Sequence, residues 1–384
     1  MSRTQLILKR VVQDFHPIWF ASTMGTGISS TILYNFPYPA YWLKVCSYIM
    51  FAVCCLLFIF FNLILVVAAF KYPQKWKHML LNVGQSVFFG CYSMGFSSIL
   101  SYLHNIVGED WATALFVLWI INIAISLFTA WIITFLVHYK GEVQPHEIHI
   151  SFLLPVVSQN VVAAVGGVLY DILHPNLKLP NIIISYLCWA NGIALTGWVV
   201  GVYIWKLYVH RIPLAKNTGF VAFLPVGAFG QGAFAVMIIC DNFRNYLQDI
   251  DPKFLQIGLD DASIVNNNLI VGQSLKYLGL MVGLFLVSNG YFFTFNAVAS
   301  VWGAGVDRFT KGFWACTFPL GTMALANHEL YTLFGFRAFR VVSAVYSTVL
   351  VLITTFCIFG SLVYEFPHEI YRPIKQEDEK DALA

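Results

Sequence analysis

The odd-numbered apolar stretches of this chain are broken by Pro and Gly, and the even-numbered ones are smooth. The stretches fall at about 17–33, 45–70, 80–102, 111–137, 150–170, 181–205, 218–240, 267–299, 312–327 and 341–364. Most are long enough to cross a bilayer core of ~30 Å. Pro17, Pro155, Pro225 and Pro319 all lie in odd stretches, and the even ones contain no proline. The odd stretches also hold 13 Gly in about 100 residues, against 8 in about 135 for the even ones. Irregular backbone survives at membrane depth only where protein or a watery cavity covers it. The odd helices are therefore expected to line a path and the even ones to face lipid. Repeated hairpins with the broken member inward are a known way to build such a path.

Composition places the chain among polytopic helical membrane proteins: 384 residues, 59% hydrophobic, 11% charged, mean hydropathy +0.72. A single transmembrane unit over residues 1–384 is expected. The tails are placed at about 1–16 and 365–384, and the largest external loop at about 241–266. The amino-terminal run lacks the apolar core of a cleavable signal, so the first span is read as the targeting signal. Assigning loops alternately to two sides puts 15 of the 22 Lys and Arg on the side of both termini and 6 on the other, with Lys276 inside a span. The positive-inside rule then makes both termini cytoplasmic.

The motifs of common enzymes are missing. There is no phosphate-binding GxxxxGK[ST] loop, no Ser/His/Asp or Cys/His arrangement, and no paired carboxylates within the spans. The eight Cys are scattered without metal-ligand spacing, and HEIH at 146–149 is a weak metal signal. The chain is read as a transporter and not an enzyme, with no catalytic residue, metal or cofactor and no nucleic-acid partner.

Three segments make the chain recognisable: MGTGISS (24–30) with YNFPYPAYWL (34–43), GQGAF (230–234) leading to Asp241 and Asn242, and KGFWACTFPLGTMALANHELY (311–331). With them the chain resembles the tellurite-resistance/dicarboxylate transporter family, which includes fungal malate permeases and plant slow anion channels. The NFPYP turn and the FPLGTMALAN…ELY run favour its fungal sulfite efflux branch. The resemblance covers nearly the whole chain. It implies an all-α fold of ten transmembrane helices, five hairpins in quasi-five-fold array with odd helices around a pore. It also implies a plasma-membrane location, sulfite or bisulfite as substrate, and frequent trimers. In channel members of the family a Phe on the ninth helix plugs the pore, which the TFP element carries to Phe318. Segment 9 also offers Phe313 and Trp314, and the alternative to a plug at Phe318 is a core aromatic packing against its neighbours.

Anion passage at low affinity suits a path without fixed cations. Donors are expected at the helix breaks of the odd spans. The helix breaks and pore-lining residues are, in span 1, Pro17, Gly25, Thr26, Gly27 and Ser29, and in span 3 Gly90 and Gly95. Span 5 offers Pro155 and Gln159, span 7 Pro225, Gly230 and Gln231, and span 9 Pro319, Gly321 and Thr322.

Lys276 shares a helical face with Gly272, Gly279, Gly283 and Gly290, which turns it toward the inner helices. No Asp or Glu falls inside an assigned span to pair with it, so it is read either as bordering the path or as snorkelling. Arg337 and Arg340 are placed to hold an exiting anion or to pair with Glu329, and Asp14 to cap the first span beside His16. The competing readings are a proton-coupled malate or dicarboxylate permease, and a membrane receptor with no transported substrate.

Overall fold

The computed structural model describes residues 11–12, 15–140, 149–210, 219–250 and 261–367, and every regular element among them is helical. The long helices are α1 (Phe20–Tyr34), α2 (Tyr41–Lys71), α3 (Phe89–Val107), α4 (Ala112–Leu127) and α5 (Leu153–Leu169). They continue as α6 (Pro175–His210), α7 (Leu224–Asn245), α8 (Asp261–Ala304), α9 (Thr317–Phe334) and α10 (Arg337–Gly360). A π turn, Phe128–Ile133, carries α4 on into Thr134–Lys140, and a short helix, Pro73–Leu81, stands between α2 and α3.

Among the described residues, eight helical runs are long and apolar enough to cross a membrane, which makes this a multi-pass membrane protein. The two remaining sequence spans form α1 and α9, of 15 and 18 residues. α1 is rich in Ser, Thr and Gly and α9 carries three Thr and a buried Asn, and both are wrapped by neighbouring helices, so neither needs an apolar surface of its own.

The contrast between odd and even stretches is a contrast in burial. In the runs containing α3, α5 and α7, 67%, 89% and 83% of the most apolar window is buried. The corresponding values for the runs of α2, α4, α6, α8 and α10 lie between 22% and 39%. Those helices turn large apolar side chains outward, among them Phe70, Trp198, Phe295, Trp302 and Phe359. Bare apolar surface on this scale belongs in lipid.

Each odd helix packs on the even helix that follows it. The odd helices also touch in sequence, α1 on α3, α3 on α5, α5 on α7 and α7 on α9, and α9 returns to α1. Gly335, with φ of 71°, lets α9 turn directly into α10. The glycine face of α8 packs as its spacing predicts. A Cβ at Gly279 would meet Cys240, one at Gly283 would meet Met237, and one at Gly290 would meet Met323.

The prolines stand at helix entrances, which corrects the expectation of breaks within the spans. Pro17 opens a 3₁₀ turn, Pro17–Trp19, ahead of α1. Pro155, Pro225 and Pro319 sit in the first turn of α5, α7 and α9, each after a 3₁₀ turn (Ile150–Phe152, Gly219–Phe223, Lys311–Cys316). A first-turn N–H has no intrahelical partner, so proline's missing donor costs nothing there.

Other boundaries also move. Of the assigned loop 241–266, residues 241–250 and 261–266 are helical, while 251–260 lie outside the described residues, as do most of both tails, Asp14 and residues 146–148.

Candidate functional site

Two small cavities lie on either side of Phe318, and both are walled by all five odd helices. The one toward the helix C-termini has a volume of about 30 Å³ and takes Ile28 from α1, Ser98 from α3, Val165 from α5, Gln231 from α7 and Leu325 from α9. The one toward the N-termini is about 10 Å³ and takes Met24, Met94, Leu153 and Gly227 from the first four of those helices, with Pro319 from α9. Phe318 lines both and is only 3% exposed. A water needs ~10–15 Å³ of such space, so this conformation leaves room for isolated waters and none for a polyatomic ion.

No charged side chain among the described residues lines either cavity. The larger one carries Thr31, Ser97, Ser98, Ser101 and Gln231. Two of its hydroxyls serve their own helices: Thr31 Oγ1 donates to Gly27 O (3.3 Å) and Ser98 Oγ to Met94 O (3.0 Å). Gln231 Oε1 is buried without a hydrogen-bond partner. The smaller cavity is apolar, shaped by Met, Leu and Val.

Of the residues singled out from sequence, only Phe318, Gln231 and Pro319 reach these cavities. The glycines instead mark where the inner helices touch. An added Cβ at Gly25 would stand 2.4 Å from Thr317 Oγ1, at Gly27 2.5 Å from Ser98 Cβ, and at Gly90 2.2 Å from Leu154 O. The same holds at Gly95 against Thr23 (2.3 Å), Gly230 against Thr322 (2.6 Å) and Gly321 against Ile28 (2.5 Å).

Thr26 Oγ1 donates to Ser22 O and Thr322 Oγ1 to Pro319 O, within their own helices. Ser29 and Gln159 face outward: Ser29 shares a hydrogen bond with Thr354 of α10 (2.8 Å), and Gln159 Nε2 donates to Ser126 of α4 (2.9 Å). The α3 serines went unremarked as lining residues. The lining ones are Ser97, Ser98 and Ser101, whereas Ser93, one turn before Ser97, donates to Asn122 Oδ1 of α4, so spacing alone does not single out the lining serines.

The sequence as a whole is similar to those of known proteins. Residues 14–362 match the family described as SLAC1, voltage-dependent anion channel. The chain belongs to this SLAC1 family. The sulfite efflux pump SSU1 of Candida albicans is 30% identical over 387 residues, covering 94% of this chain and 76% of that protein. The SSU1 pump of Saccharomyces cerevisiae is 30% identical over 427 residues, covering 97% and 91%. An uncharacterized transporter of Methanocaldococcus jannaschii is 22% identical over 338 residues, covering 86% and 89%.

In this SLAC1-family chain Lys276 lies well inside α8, while Asp241 and Arg244 stand in the last turns of α7. Lys276 is not without a partner: its Nζ stands 2.7 Å from Asp241 Oδ1, which also lies 3.1 Å from Arg244 Nε. The sequence reading missed the pair because Asp241 is one residue beyond the assigned end of segment 7, whereas α7 runs on to Asn245. The carboxylate thus holds Lys276 on α8 against the end of α7. Lys276→Met and Asp241→Asn are each expected to lower the melting temperature in detergent. The double variant should fall short of their sum by about 0.5–1 kcal/mol, the coupling of a partly exposed pair. Full additivity would remove the pair from the account.

Arg340 is committed to the 35–40 turn. Its Nε and Nη2 donate to Pro37 O (2.9 and 2.7 Å), and its guanidinium lies 4.2 Å from the Tyr38 ring centre. That leaves neither arginine as the expected partner of Glu329, since Arg337 is exposed at the start of α10. At the other end His16 caps the first turn, its Nδ1 accepting from Ile18 N at 3.1 Å, while the expected cap Asp14 lies outside the described residues. Burial, then the nearby Lys311 cation, push this imidazole down to about 4, which keeps it a neutral acceptor.

Proposed function

We propose that this chain exports sulfite or bisulfite through a path along the axis of its odd helices, closed at Phe318 in the conformation described. The observation that carries this reading is the single aromatic ring shared by two charge-free cavities, each walled by all five odd helices. The kinship with proteins named sulfite efflux pumps, near 30% identity over most of the chain, supports sulfite as the anion. The proposal includes ten spanning helices as five hairpins in quasi-five-fold array, for which the sequential contacts of the odd helices and the return of α9 to α1 speak. It also includes a plasma-membrane location, and cytoplasmic termini, the excess of Lys and Arg on the side of both termini speaking for that orientation.

Transport in this scheme needs no fuel of its own. A negative cell interior drives an anion outward with about 2.3 kcal/mol per charge per 100 mV. A lining without fixed cations holds the ion weakly and lets it leave. The N-terminal ends of the odd helices meet around the smaller cavity, and their dipoles favour an anion entering there.

Purified protein in liposomes should pass labelled sulfite at a rate set by imposed voltage, with no pH gradient required. Malate moving as fast as sulfite, or flux that follows the proton gradient and ignores voltage, would overturn the proposal in favour of a dicarboxylate permease.

A further inference from the structure

One hydroxyl in the wall of the larger cavity is held differently from its neighbours. A serine or threonine inside a helix commonly gives its proton to a carbonyl one turn back. Thr31 and Ser98 do so, onto Gly27 O and Met94 O. Ser97 does not. The carbonyl one turn before it, Ser93 O, is taken by Asn122 Nδ2 of α4 at 3.2 Å, and the same nitrogen donates to Ser97 Oγ at 2.7 Å. Ser93 Oγ completes the arrangement by donating to Asn122 Oδ1 at 2.9 Å.

These contacts leave the Asn122 amide one orientation. Ser93 O can only accept, so the Asn122 atom facing it must be the nitrogen, and Ser97 Oγ then faces an N–H as well. A hydroxyl that accepts on one side still has its own proton to give. Ser97 is buried in the cavity wall, and its proton is given to no group among the described residues.

The converse need stands on another wall. Gln231 comes from α7, which touches α5 and α9, whereas α3 touches α1 and α5, so the two side chains reach the cavity from walls with α5 between them. Gln231 Oε1 is a buried acceptor with no donor. The lining thus has one proton to give and one to receive, and no charged side chain among the described residues.

We infer that this cavity selects a singly charged, protonated oxyanion, bisulfite and not the sulfite dianion, with Ser97 and Gln231 as its contacts and Asn122 as the positioning residue behind Ser97. The inference deepens the transport reading above and rests on it. Bisulfite has oxygens to accept from Ser97 and, in its hydroxyl form, a proton for Gln231 Oε1. Sulfite has no proton, so its oxygens would meet the Gln231 oxygen as acceptor against acceptor. Charge acts in the same direction. The Born cost of leaving water grows with the square of the charge, about fourfold for a dianion, and no cation in the wall offsets it. At about 30 Å³ the cavity receives the ion only as the Phe318 ring on its border moves aside. Each ion exported then takes one negative charge and one proton with it.

The test reads ion valence and selectivity in planar bilayers holding the purified full chain, at equal pH on both sides and with an impermeant cation. A tenfold gradient of total sulfite should set a reversal potential of about 59 mV, the value for one charge per ion, and about 30 mV would mean the dianion and overturn the inference. At fixed total sulfite, conductance should fall as pH rises through the second ionisation of sulfurous acid; a rise would count against the monoanion. Ser97→Ala and Gln231→Leu should each lower the permeability ratio of bisulfite to chloride by about fivefold, the effect of one net hydrogen bond. Such a ratio is independent of how much protein folds. Ser97→Thr, which keeps the hydroxyl, should stay near the wild-type ratio. Asn122→Leu frees Ser93 O to draw the Ser97 proton back, so the ratio should fall as in Ser97→Ala, and combining the two should add nothing. An unchanged ratio in Ser97→Ala or in Gln231→Leu would overturn the inference. Failure of the transport reading itself looks different: no sulfite current at all, or malate passing as fast, and the inference would fall with it.

Discussion

Phe318→Ala is expected to raise sulfite efflux from proteoliposomes by about tenfold or more, the change produced when a passage barrier falls by about 1.4 kcal/mol. The ring is the shared wall of two cavities of about 30 and 10 Å³. Removing it joins them into one void reaching from Met24 and Leu153 to Thr31 and Leu325. Truncating a buried Phe also costs about 3–5 kcal/mol of stability, so the rate must be normalised to folded protein. Phe318→Leu, which keeps most of the packing, should raise the flux less, and Phe318→Trp should lower it. Unchanged or reduced flux in intact Phe318→Ala protein would return this residue to the role of a core aromatic.

Gly90→Val should leave little folded protein. A Cβ at this position would lie 2.2 Å from Leu154 O and 2.8 Å from Pro155 N. These are backbone atoms in the first turn of α5, which the Pro155 ring stiffens, so no side chain can rotate aside. The substitution must push α3 away from α5 and open the wall that both helices give to the two cavities. Overpacking a core usually costs about 1–3 kcal/mol, and a clash with fixed backbone belongs at or above the top of that range. Gly197 on α6 supplies the contrast, with nothing within 4 Å of an added Cβ. Gly197→Ala should be neutral or stabilise its helix by up to about 1 kcal/mol. Yield of monodisperse protein and melting temperature in detergent check both, and a well-folded Gly90→Val would show that α3 and α5 are not held this closely.

The inside and outside of the molecule were legible in the sequence because lipid and protein make different demands. Helices rich in Val, Ile, Leu and Phe became the outer ones, and those mixing Gly with Ser, Thr and Gln became the inner ones. The Gly272, Gly279, Gly283 and Gly290 face of α8 was legible for a related reason, since small residues at helical spacing mark close approach. The rotation of the inner helices was not legible. All of α5 but Val168 is buried, and a helix enclosed on every side has no polar face to show which way it points. Gln159 was therefore assigned to the path when it turns to Ser126, and Ser29 when it turns to Thr354. The meaning of the prolines was hidden by a boundary error of a few residues, because the same proline reads as a break inside a span or as the start of a helix. Asp241 was lost in the same way.

The return of α9 to α1 has a bearing on how the chain must be made. The seam joins the first long helix to the last two: Gly25 lies against Thr317, Gly321 against Ile28, and Ser29 shares a hydrogen bond with Thr354. Until the ribosome has passed these last residues, one flank of α1, with its Ser and Thr, has no mate. A nascent chain stalled before α9 would present that flank to the surrounding bilayer and to the proteases of quality control. Sealing of this seam must therefore wait until α9 and α10 have been made.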